Sequence, residues 1–510
     1  MPLRHHLLLF LLPLMLNGQS MTAAAIDAWA QRIQQDYETP GLAIAVVTDG
    51  EILLADGYGV LSLENQAPVD ENSLFGIASI SKSFTALALA MLVDRGELHW
   101  KDQVITYLPD FALYDPWVTR EFTIEDLLIH RSGLSEVSGG TLWYGSDYDR
   151  AEVVRRLRYL KPESSFRTDF AYQNVLYLVA GELVPAITDL TWDTFLEQEI
   201  FQPLGMTRSN TSIHAMTADA NVAQAHAILN GQLQQIPLRD HDNIGPAASV
   251  NTSARDIAAY MQFMLDEGIV AGDTLCRPPV MADLWQPRSI LKLPAPEPAD
   301  QAAEWARIAR HYGYGWIIQD HRGTRRIYHS GGIDGLRSLI TLIPEKDLGV
   351  AVMVNRESRA AVYALTSIVL DLAWGIEDMP WYEATLEREK ASRRELADQQ
   401  LAAAELQPGK RGPAWRHLPG RYESEVYGEI TIDKAGYGMR MEFSHTPGFG
   451  AELVPWKYDT LLVKWDDPYI PQGKVHFTTG RGRRIQEMHL DQPDLLDVDF
   501  RELHPIRKLD

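Results

Sequence analysis

The chain has 510 residues, of which 45% are hydrophobic and 23% are charged, and its formal net charge is −22. This composition is typical of a globular protein with two or three domains. The large negative charge argues against nucleic acids and anionic membrane surfaces as partners. The single cysteine, Cys276, excludes an intramolecular disulfide, and we expect it to be packed and inert.

The N-terminus has the composition of a secretory signal peptide. Arg4 precedes an apolar run over residues 7–16, which is too short to span a bilayer. Small residues follow, so cleavage is expected after Ser20 or near Ala25, and residues 1–25 are assigned to the signal. An uncleaved membrane anchor is the alternative. We therefore expect a periplasmic or secreted protein with no stable membrane anchor after cleavage.

Beyond the signal, the pattern predicts a helix over 26–37 and then a hairpin whose strands meet at the turn dipeptide Asp49-Gly50. Helices and loops dominate from about residue 85 to 320. Strand character returns at 324–328, 338–343 and 349–354, and a helix is predicted over 361–374. Strands at both ends of this region, with helices between them, predict an α+β domain with one sheet and a helical insert.

The tetrad Ser79-Ile80-Ser81-Lys82 opens a long apolar helix, in which residues three apart lie on one face. A serine hydroxyl needs a neighbouring base to become a nucleophile, and a partly buried lysine loses enough basicity to help. The positive end of the helix dipole lies near the oxygen where negative charge develops. The tetrad therefore suggests acyl-transfer chemistry, with a capped surface helix as the alternative.

A second motif, Tyr172-Gln173-Asn174, carries residue types that suit such a site. The Tyr172 phenol can relay protons if Lys82 lowers its pKa. The Asn174 amide can orient a substrate amide and bind the lysine. Taken alone, a helix start with a buried tyrosine explains the motif equally well.

A third motif, His329-Ser330-Gly331-Gly332, follows a predicted strand. Its small residues let a substrate backbone approach closely. The N–H groups of Gly332 and Ser79 can then form an oxyanion hole. A Gly-rich hairpin with an exposed histidine is the alternative.

With these motifs in this order, the chain resembles the serine β-lactamase and penicillin-binding-protein superfamily over residues 26–375. It is most similar to the class C β-lactamase branch, which includes D-aminopeptidases, D-peptidases and esterases; segments 127–134, 245–256 and 312–316 fit this branch as well. The resemblance implies an antiparallel sheet flanked by helices and Ser79 as the acylated nucleophile. It implies that Lys82 and Tyr172 share the acid–base work, with the first base left open, and that Asn174 positions substrate. It implies no metal and no cofactor.

His329 stands where many members of this superfamily have the lysine of a Lys-Thr-Gly motif. A histidine is only partly charged near pH 7, so it offers a switchable charge rather than a fixed cation for a substrate carboxylate. This departure favours a peptidase, amidase or esterase for small-molecule or short-peptide substrates, including those with D-residues. A β-lactamase or D-Ala-D-Ala carboxypeptidase is the alternative of the same class. A non-catalytic ligand-binding protein is the alternative of another class.

Two acidic features invite other interpretations. Glu163 precedes Tyr172, whereas the deacylating glutamate of class A β-lactamases follows the second motif, so we interpret Glu163 as a loop residue. The run Asp240-His241-Asp242-Asn243 resembles a metal-binding cluster, but no second histidine group has ligand spacing with it. We interpret that run as a solvated loop.

The C-terminal part has a different pattern. Residues 376–412 are rich in charged residues and are expected to form a partly helical linker. From 413 to 510 short alternating strands follow, in which Met439, Met441 and Phe443 share one face. We expect a small all-β domain, with a closed barrel as its candidate form, that restricts substrate or supports oligomer assembly. Trp456, Tyr458 and Trp465 are candidate exposed aromatics that motivate this idea, although packing in the domain core explains them at least as well.

Overall fold

The structure of the chain is a computed structural model, which describes residues 21–291, 309–404, 406, 409–412, 415–436, 438–480, 484–493 and 495–509. The predicted signal sequence up to residue 20 lies outside the described residues. The first described helix begins at Ala23, and the Thr22 hydroxyl caps it by accepting a hydrogen bond from the Ala25 N–H at 3.1 Å. Residues 22–25 are therefore the cap and first turn of a folded helix.

The described strands of the first domain are, in chain order, β1 (Gly41–Thr48), β2 (Glu51–Gly59), β3 (Phe75–Gly76), β4 (His226–Leu229), β5 (Gln232–Gln235), β6 (Asn251–Thr252), β7 (Ile269–Val270), β8 (Asp273–Thr274), β9 (Ser289–Leu291), β10 (Arg310–Tyr312), β11 (Ile317–His321), β12 (Thr324–Ile333), β13 (Leu336–Ile343) and β14 (Leu348–Val354). Eight of them form one antiparallel sheet in the order β2-β1-β14-β13-β12-β11-β10-β9. The remaining six form three small two-stranded sheets.

The described α-helices are α1 (Ala23–Asp36), α2 (Ser81–Asp94), α3 (Val104–Tyr107), α4 (Pro116–Glu121), α5 (Ile124–Leu128), α6 (Gly140–Trp143), α7 (Arg150–Arg156), α8 (Val175–Thr188), α9 (Trp192–Leu196), α10 (Gln202–Leu204), α11 (Ile213–Thr217), α12 (Gly245–Ala248), α13 (Ala254–Leu265), α14 (Pro278–Leu284), α15 (Arg359–Ala373) and α16 (Trp381–Ala404). Within the described ranges, no single helix has the length and apolar composition of a membrane span. One bent pair, Val175–Thr188 with Trp192–Leu204, meets that test by length and composition alone.

Helices cover both faces of the large sheet. On β1, Ala43, Ala45 and Val47 pack into the core that contains α2 and α13, whereas the alternate residues Leu42, Ile44 and Val46 pack against α1 and α15. A sheet buried on both faces needs apolar side chains on both, which explains the uninterrupted apolar runs of β1 and β14. The expected α+β domain, with a helical insert between the chain ends, is confirmed.

Most predicted elements of the sheet are observed with small shifts. The hairpin turns at Asp49-Gly50, and the predicted strand at 349–354 is β14. One difference matters for the site: β12 does not end at Tyr328 but continues to Ile333, so the third motif lies within a strand. The pairing of β12 with β13 continues through that motif and explains the longer strand.

The C-terminal domain is a closed eight-stranded barrel, as expected from its alternating pattern. Its strands are β15 (Gly420–Ser424), β16 (Gly428–Ala435), β17 (Gly438–Phe443), β18 (Ala451–Lys457), β19 (Thr460–Trp465), β20 (Gly473–Thr479), β21 (Ile485–Asp491) and β22 (Ile506–Lys508). Met439, Met441 and Phe443 are buried on one face of β17, as predicted. Of the candidate exposed aromatics, Tyr458 is exposed, whereas Trp465 is buried beside Phe443 and Phe449, in agreement with the core-packing alternative.

The barrel is docked onto the first domain of the same chain. Arg239 donates to the Asp467 carboxylate at 2.7 Å, and Arg156 donates to the Val426 carbonyl at 2.8 Å. Helix α16, within the predicted linker, packs against α15, and its Arg393 pairs with Glu38 at 3.0 Å. The two domains and the intervening helix therefore share extensive contacts.

Candidate active site

Ser79 lies in a short 3-10 turn, Ala78–Ile80, immediately before α2. Ala78 has a φ of 50°, a left-handed conformation that costs a non-glycine residue about 1 kcal/mol and that is found at functional sites. The Ser81 hydroxyl holds this turn, since it donates to the Ala78 carbonyl at 2.6 Å and accepts from the Val250 N–H at 2.9 Å. The Ser79 side chain is therefore fixed at the start of a helix.

Lys82 is fully buried, and its ammonium group has three acceptors. These are the Ser79 hydroxyl at 3.1 Å, the Asn174 side-chain oxygen at 2.6 Å and the Ala247 carbonyl at 3.0 Å. Burial lowers the pKa of Lys82 to about 7, and the nearby Asp497 carboxyl opposes this shift. The structure thus brings together the first two motifs around a lysine that titrates near neutrality.

Tyr172 lies over Lys82, whose Nζ is 4.8 Å from the ring centroid. Its hydroxyl is buried and has no well-aligned hydrogen bond within the described residues, although Ser79 is near enough to favour its ionised form. Burial has the opposite and larger effect, and Asp497 acts in the same direction as burial. The pKa of Tyr172 is therefore raised well above its ordinary value. The condition considered from the sequence, a pKa of Tyr172 lowered by Lys82, is therefore not met, because desolvation dominates.

His329 is buried and neutral rather than switchable. Its Nε2 and the Tyr312 hydroxyl lie 2.9 Å apart, and its Nδ1 lies 2.7 Å from the Ser330 carbonyl. Burial, together with the charge of Lys82, lowers the pKa of His329 to about 3. The expectation of a partly charged histidine near pH 7 is therefore wrong, and the alternative of an exposed one is wrong as well.

The other residues of the third motif line the edge of β12. β11 pairs with β12 only as far as Tyr328, so residues 329–333 have β13 as their one described partner strand. At Gly331 a Cβ atom would lie 2.0 Å from the Ile77 carbonyl oxygen, which explains why glycine occupies this position. The free edge, which includes Ser330 and Gly332, therefore runs close to the turn that carries Ser79.

His130 was not assigned a role from the sequence, although segment 127–134 supported the resemblance. Its ring centroid lies 4.5 Å from those of both Tyr172 and Tyr312. Its Nδ1 accepts a hydrogen bond from the Gln173 N–H at 3.0 Å, and burial lowers its pKa well below the ordinary value. His130 is thus a neutral ring that holds the second motif in place.

Asp497, from the barrel, is a titratable residue near the site that sequence reasoning missed. Its carboxyl group is close enough to the Asn174 side chain and to Lys82 to interact electrostatically with both. Burial raises the pKa of Asp497, while Lys82 opposes that shift. Nothing in the spacing of an isolated aspartate in the C-terminal domain indicated this position.

The remaining sequence candidates lie away from the nucleophile. Glu163 is exposed, and Cys276 is buried as predicted. His214 approaches Asp240 and Asp242 closely enough for the three to hold a cation. The separation of His214 from the two aspartates along the chain gave no sign of this grouping. Asp242 already accepts hydrogen bonds from the Ser212 hydroxyl and the Ile213 N–H, at the start of α11. These contacts give Asp242 a structural role.

Two family models match the chain. One, described as Beta-lactamase, matches residues 26–373, and the other, described as a domain of unknown function (DUF3471), matches residues 414–504.

Curated relatives include hydrolases and a penicillin-binding protein. An unguisins hydrolase of Aspergillus campestris is 30% identical over 380 residues, with 69% of this chain and 66% of the relative covered. An unguisins hydrolase of Aspergillus violaceofuscus is 28% identical over 341 residues, covering 62% of this chain and 59% of the relative. Penicillin-binding protein 4 of Amycolatopsis lactamdurans is 28% identical over 334 residues, covering 64% of this chain and 84% of the relative. The chain thus spans less than two thirds of the length of the two unguisins hydrolases.

Solved structures share the fold. The octameric penicillin-binding protein homologue from Pyrococcus abyssi has a TM-score of 0.60 and 20% identity, covering 93% of this chain and 99% of that one. The penicillin-binding protein from Bacillus halodurans has a TM-score of 0.55 and 20% identity, covering 67% of this chain and 99% of that one. At these identities the likeness concerns the fold alone, and it agrees with the architecture described above.

Proposed function

Because the chain belongs to the Beta-lactamase family, we propose that it is a serine hydrolase that forms a covalent acyl-enzyme on Ser79. The observation that carries the proposal is the pair formed by Ser79 and Lys82. A fully buried lysine, whose pKa is lowered to about 7, donates to the serine hydroxyl at 3.1 Å. Loss of one proton from that ammonium group leaves a base in contact with the nucleophile.

In the proposed first step, Ser79 Oγ attacks the substrate carbonyl carbon while neutral Lys82 accepts the hydroxyl proton. We assign this transfer to Lys82 rather than Tyr172, because the raised pKa of Tyr172 keeps its phenol protonated. The negative oxygen of the tetrahedral intermediate receives hydrogen bonds from the N–H groups of Ser79 and Gly332.

In the second step the bond from the carbonyl carbon to the leaving group breaks. Tyr172 donates its phenol proton to the leaving group and takes a proton from Lys82 in return. A water molecule then attacks the acyl-enzyme while Lys82 accepts a proton from that water. As the ester bond breaks, Lys82 passes this proton to Ser79 Oγ. The products are a free acid and the original site.

We propose small peptides and amides, including those with D-residues, or esters as the substrates. His329 is neutral and bonded to Tyr312, so it supplies no fixed cation for a substrate carboxylate. This disfavours β-lactams and D-Ala-D-Ala peptides. Two curated relatives named unguisins hydrolase agree with a hydrolytic activity.

We also propose export to the periplasm or beyond the cell, on the basis of the apolar run over residues 7–16. Cleavage after Ser20 would leave the Thr22 cap of α1 in place, whereas cleavage near Ala25 would remove it. The mass of the mature N-terminus distinguishes the two positions. Assembly into oligomers remains a prediction, in line with the octameric homologue from Pyrococcus abyssi.

The test of the proposed function uses a fluorophosphonate probe and a substrate panel. We expect the probe to label the wild-type chain at Ser79, as shown by peptide mass spectrometry, and not to label Ser79→Ala. We expect a D-amino-acid amide or a short ester to be hydrolysed with higher kcat/KM than a chromogenic cephalosporin. Absence of labelling and of turnover in the wild type would favour a non-catalytic binding protein, and a much faster cephalosporin reaction would favour a β-lactamase.

A further inference from the structure

A loop of the barrel, residues 466–472 between β19 and β20, reaches the hairpin that joins β12 to β13; we call it the barrel loop. β12 ends at Ile333, and Asp334 and Gly335 form the turn before β13. This turn comes directly after the third motif, whose free edge runs close to the nucleophile. That edge has β13 as its one described partner strand, so contacts at the hairpin turn help to fix its position.

The first connection between the barrel loop and the hairpin runs through Arg239. The Asp334 side chain is only 2% exposed, and its carboxylate accepts hydrogen bonds from the Tyr144 hydroxyl and from Arg239 Nε, both at 2.6 Å. Arg239 Nη2 donates to the Asp467 carboxylate of the barrel loop at 2.7 Å. Burial, and next the charge of Asp334, raise the pKa of Tyr144, so its phenol stays a donor. The planar guanidinium therefore holds a carboxylate of the hairpin and one of the loop in a fixed relative position.

The second connection runs through Arg337 on β13. Its Nη1 donates to the Ile333 carbonyl at 2.9 Å. A Cβ atom at Gly332 would lie 2.8 Å from this nitrogen, so glycine lets the guanidinium lie against the strand. Arg337 Nη2 pairs with the Glu357 carboxylate, which also accepts a hydrogen bond from the Tyr469 hydroxyl of the barrel loop at 3.0 Å. The same loop thus reaches the hairpin by two routes.

Both connections are partly buried ion pairs supported by additional hydrogen bonds. The side chains of Arg239 and Arg337 are 17% and 13% exposed. Each arginine has a carboxylate partner, and each network includes a tyrosine hydroxyl as a further donor. Such networks are rigid when their members are satisfied, and removal of one member leaves a partly buried charge without its partner. The barrel loop and the hairpin are therefore held together by specific contacts.

We propose that Arg239 and Arg337 are positioning residues through which the barrel fixes the oxyanion donor Gly332 relative to Ser79. The inference rests on the proposed function, in which the N–H groups of Gly332 and Ser79 bind the negative oxygen of the intermediate. Such donors stabilise the transition state when they are already aimed at the place where the charge develops. The Ser79 turn opens a helix of the first domain's core, whereas Gly332 lies on a strand edge that the two connections hold in place.

The kinetic consequence is a loss in kcat rather than in substrate affinity. A displaced oxyanion donor weakens binding of the transition state more than binding of the ground state. Arg239→Gln leaves the Asp334 carboxylate without its arginine and frees the hairpin from Asp467. We expect kcat for p-nitrophenyl acetate to fall about tenfold to a hundredfold, while KM changes by less than about threefold.

The test compares the full-length wild type, Arg239→Gln and a loop variant that combines Asp467→Asn with Tyr469→Phe. The matched control is Asp466→Asn, because Asp466 lies in the same loop but accepts a hydrogen bond from Arg440 within the barrel at 2.8 Å. The substrates are p-nitrophenyl acetate and its thiono analogue, in which sulfur, a weaker hydrogen-bond acceptor, replaces the carbonyl oxygen.

The readout is the ratio of kcat/KM for the ester over the thionoester. We expect this ratio to fall about tenfold in Arg239→Gln and in the loop variant, because the donor no longer favours oxygen, and to keep its wild-type value in Asp466→Asn. A merely structural role would reduce the active fraction and lower both rates equally. A ratio within twofold of wild type in variants that are still labelled at Ser79 by a fluorophosphonate would overturn the inference while the proposed function stands.

The remaining outcomes are also decisive. If the wild type is not labelled at Ser79, the proposed function fails and the inference fails with it. If Arg239→Gln does not fold, as judged by loss of cooperative unfolding, the loop variant decides by the same ratio. If the wild type is labelled but hydrolyses neither ester, the labelling rate replaces the ratio, because the phosphonyl oxygen occupies the same hole. A labelling rate that falls in the loop variant but not in Asp466→Asn supports the inference, and equal rates overturn it.

Discussion

Titration of Glu502 should make the stability of the contact between the barrel and the first domain depend on pH. Its residue surface is partly exposed, but its carboxyl group is enclosed by the Gly139 and Thr141 groups that it binds. Burial raises the pKa of Glu502 from 4.5 to about 7, although those hydrogen bonds oppose the shift. The perturbation is Glu502→Gln, which keeps the size of the side chain and removes its titration.

The sign and size of the effect follow from the two pKa values. Because the pKa is higher in the folded state, this group's stabilising contribution is complete below pH 4.5 and is lost as pH rises through about 7. A difference of about 2.5 pH units corresponds to about 3 kcal/mol at 1.36 kcal/mol per unit. The wild type should therefore lose about 3 kcal/mol relative to Glu502→Gln between pH 4.5 and pH 8.

The assay is urea unfolding of both proteins at several pH values over this range. Other titrating groups are common to both proteins, so their contributions cancel in the difference. Glu425→Gln is the control, because Glu425 is an exposed barrel glutamate and its replacement removes one carboxylate without touching the contact with Gly139 and Thr141. A Glu502→Gln difference that is constant from pH 4.5 to pH 8 would refute the reasoning.

Two further predictions concern the nucleophile and the strand beside it. Labelling of Ser79 by a fluorophosphonate should slow about tenfold for each pH unit below about 7, because protonated Lys82 cannot accept the serine proton. Replacing the exposed Lys101 with Gln is the control and should leave this pH profile unchanged. A labelling rate that does not change from pH 5 to pH 8 would contradict the assignment of Lys82 as the base. Gly331→Ala should cost about 1–3 kcal/mol in urea unfolding, because its Cβ would lie 2.0 Å from the Ile77 oxygen. In Gly438→Ala the nearest atom is 3.4 Å away, and an equal loss in this control would contradict the argument.

Each of the three motifs could be recognised in the sequence because each is a local feature with its own chemical signature. Ser79 and Lys82 are one helical turn apart, so their contact follows from helix geometry alone. The Lys82 contact with Asn174 instead depended on the family resemblance, because no spacing rule links residues so far apart. The barrel was predictable for a related reason: alternation in strands such as β17 records which face is buried.

The protonation states could not be predicted, because a pKa depends on burial that only the fold determines. His329 and Tyr172 have ordinary pKa values as free side chains. Burial beside Tyr312 and Lys82 lowers the pKa of His329 and raises that of Tyr172. Asp497 was missed for a topological reason. Its approach depends on how the closed barrel docks, and that in turn depends on contacts such as Glu502 with Thr141, which no local pattern records.

The two groups that titrate near neutrality have opposite consequences for the proposed reaction. Raising the pH through about 7 deprotonates Lys82 and supplies the base, but it also ionises Glu502 and weakens its contact with Gly139 and Thr141 of the first domain. Lowering the pH strengthens that contact and protonates the base. The form with both a neutral lysine and a firmly docked barrel is therefore most populated in a window around neutrality. Because the barrel brings Asp497 near Lys82, the pKa of the proposed base depends on the docking of the two domains as well as on the first domain itself.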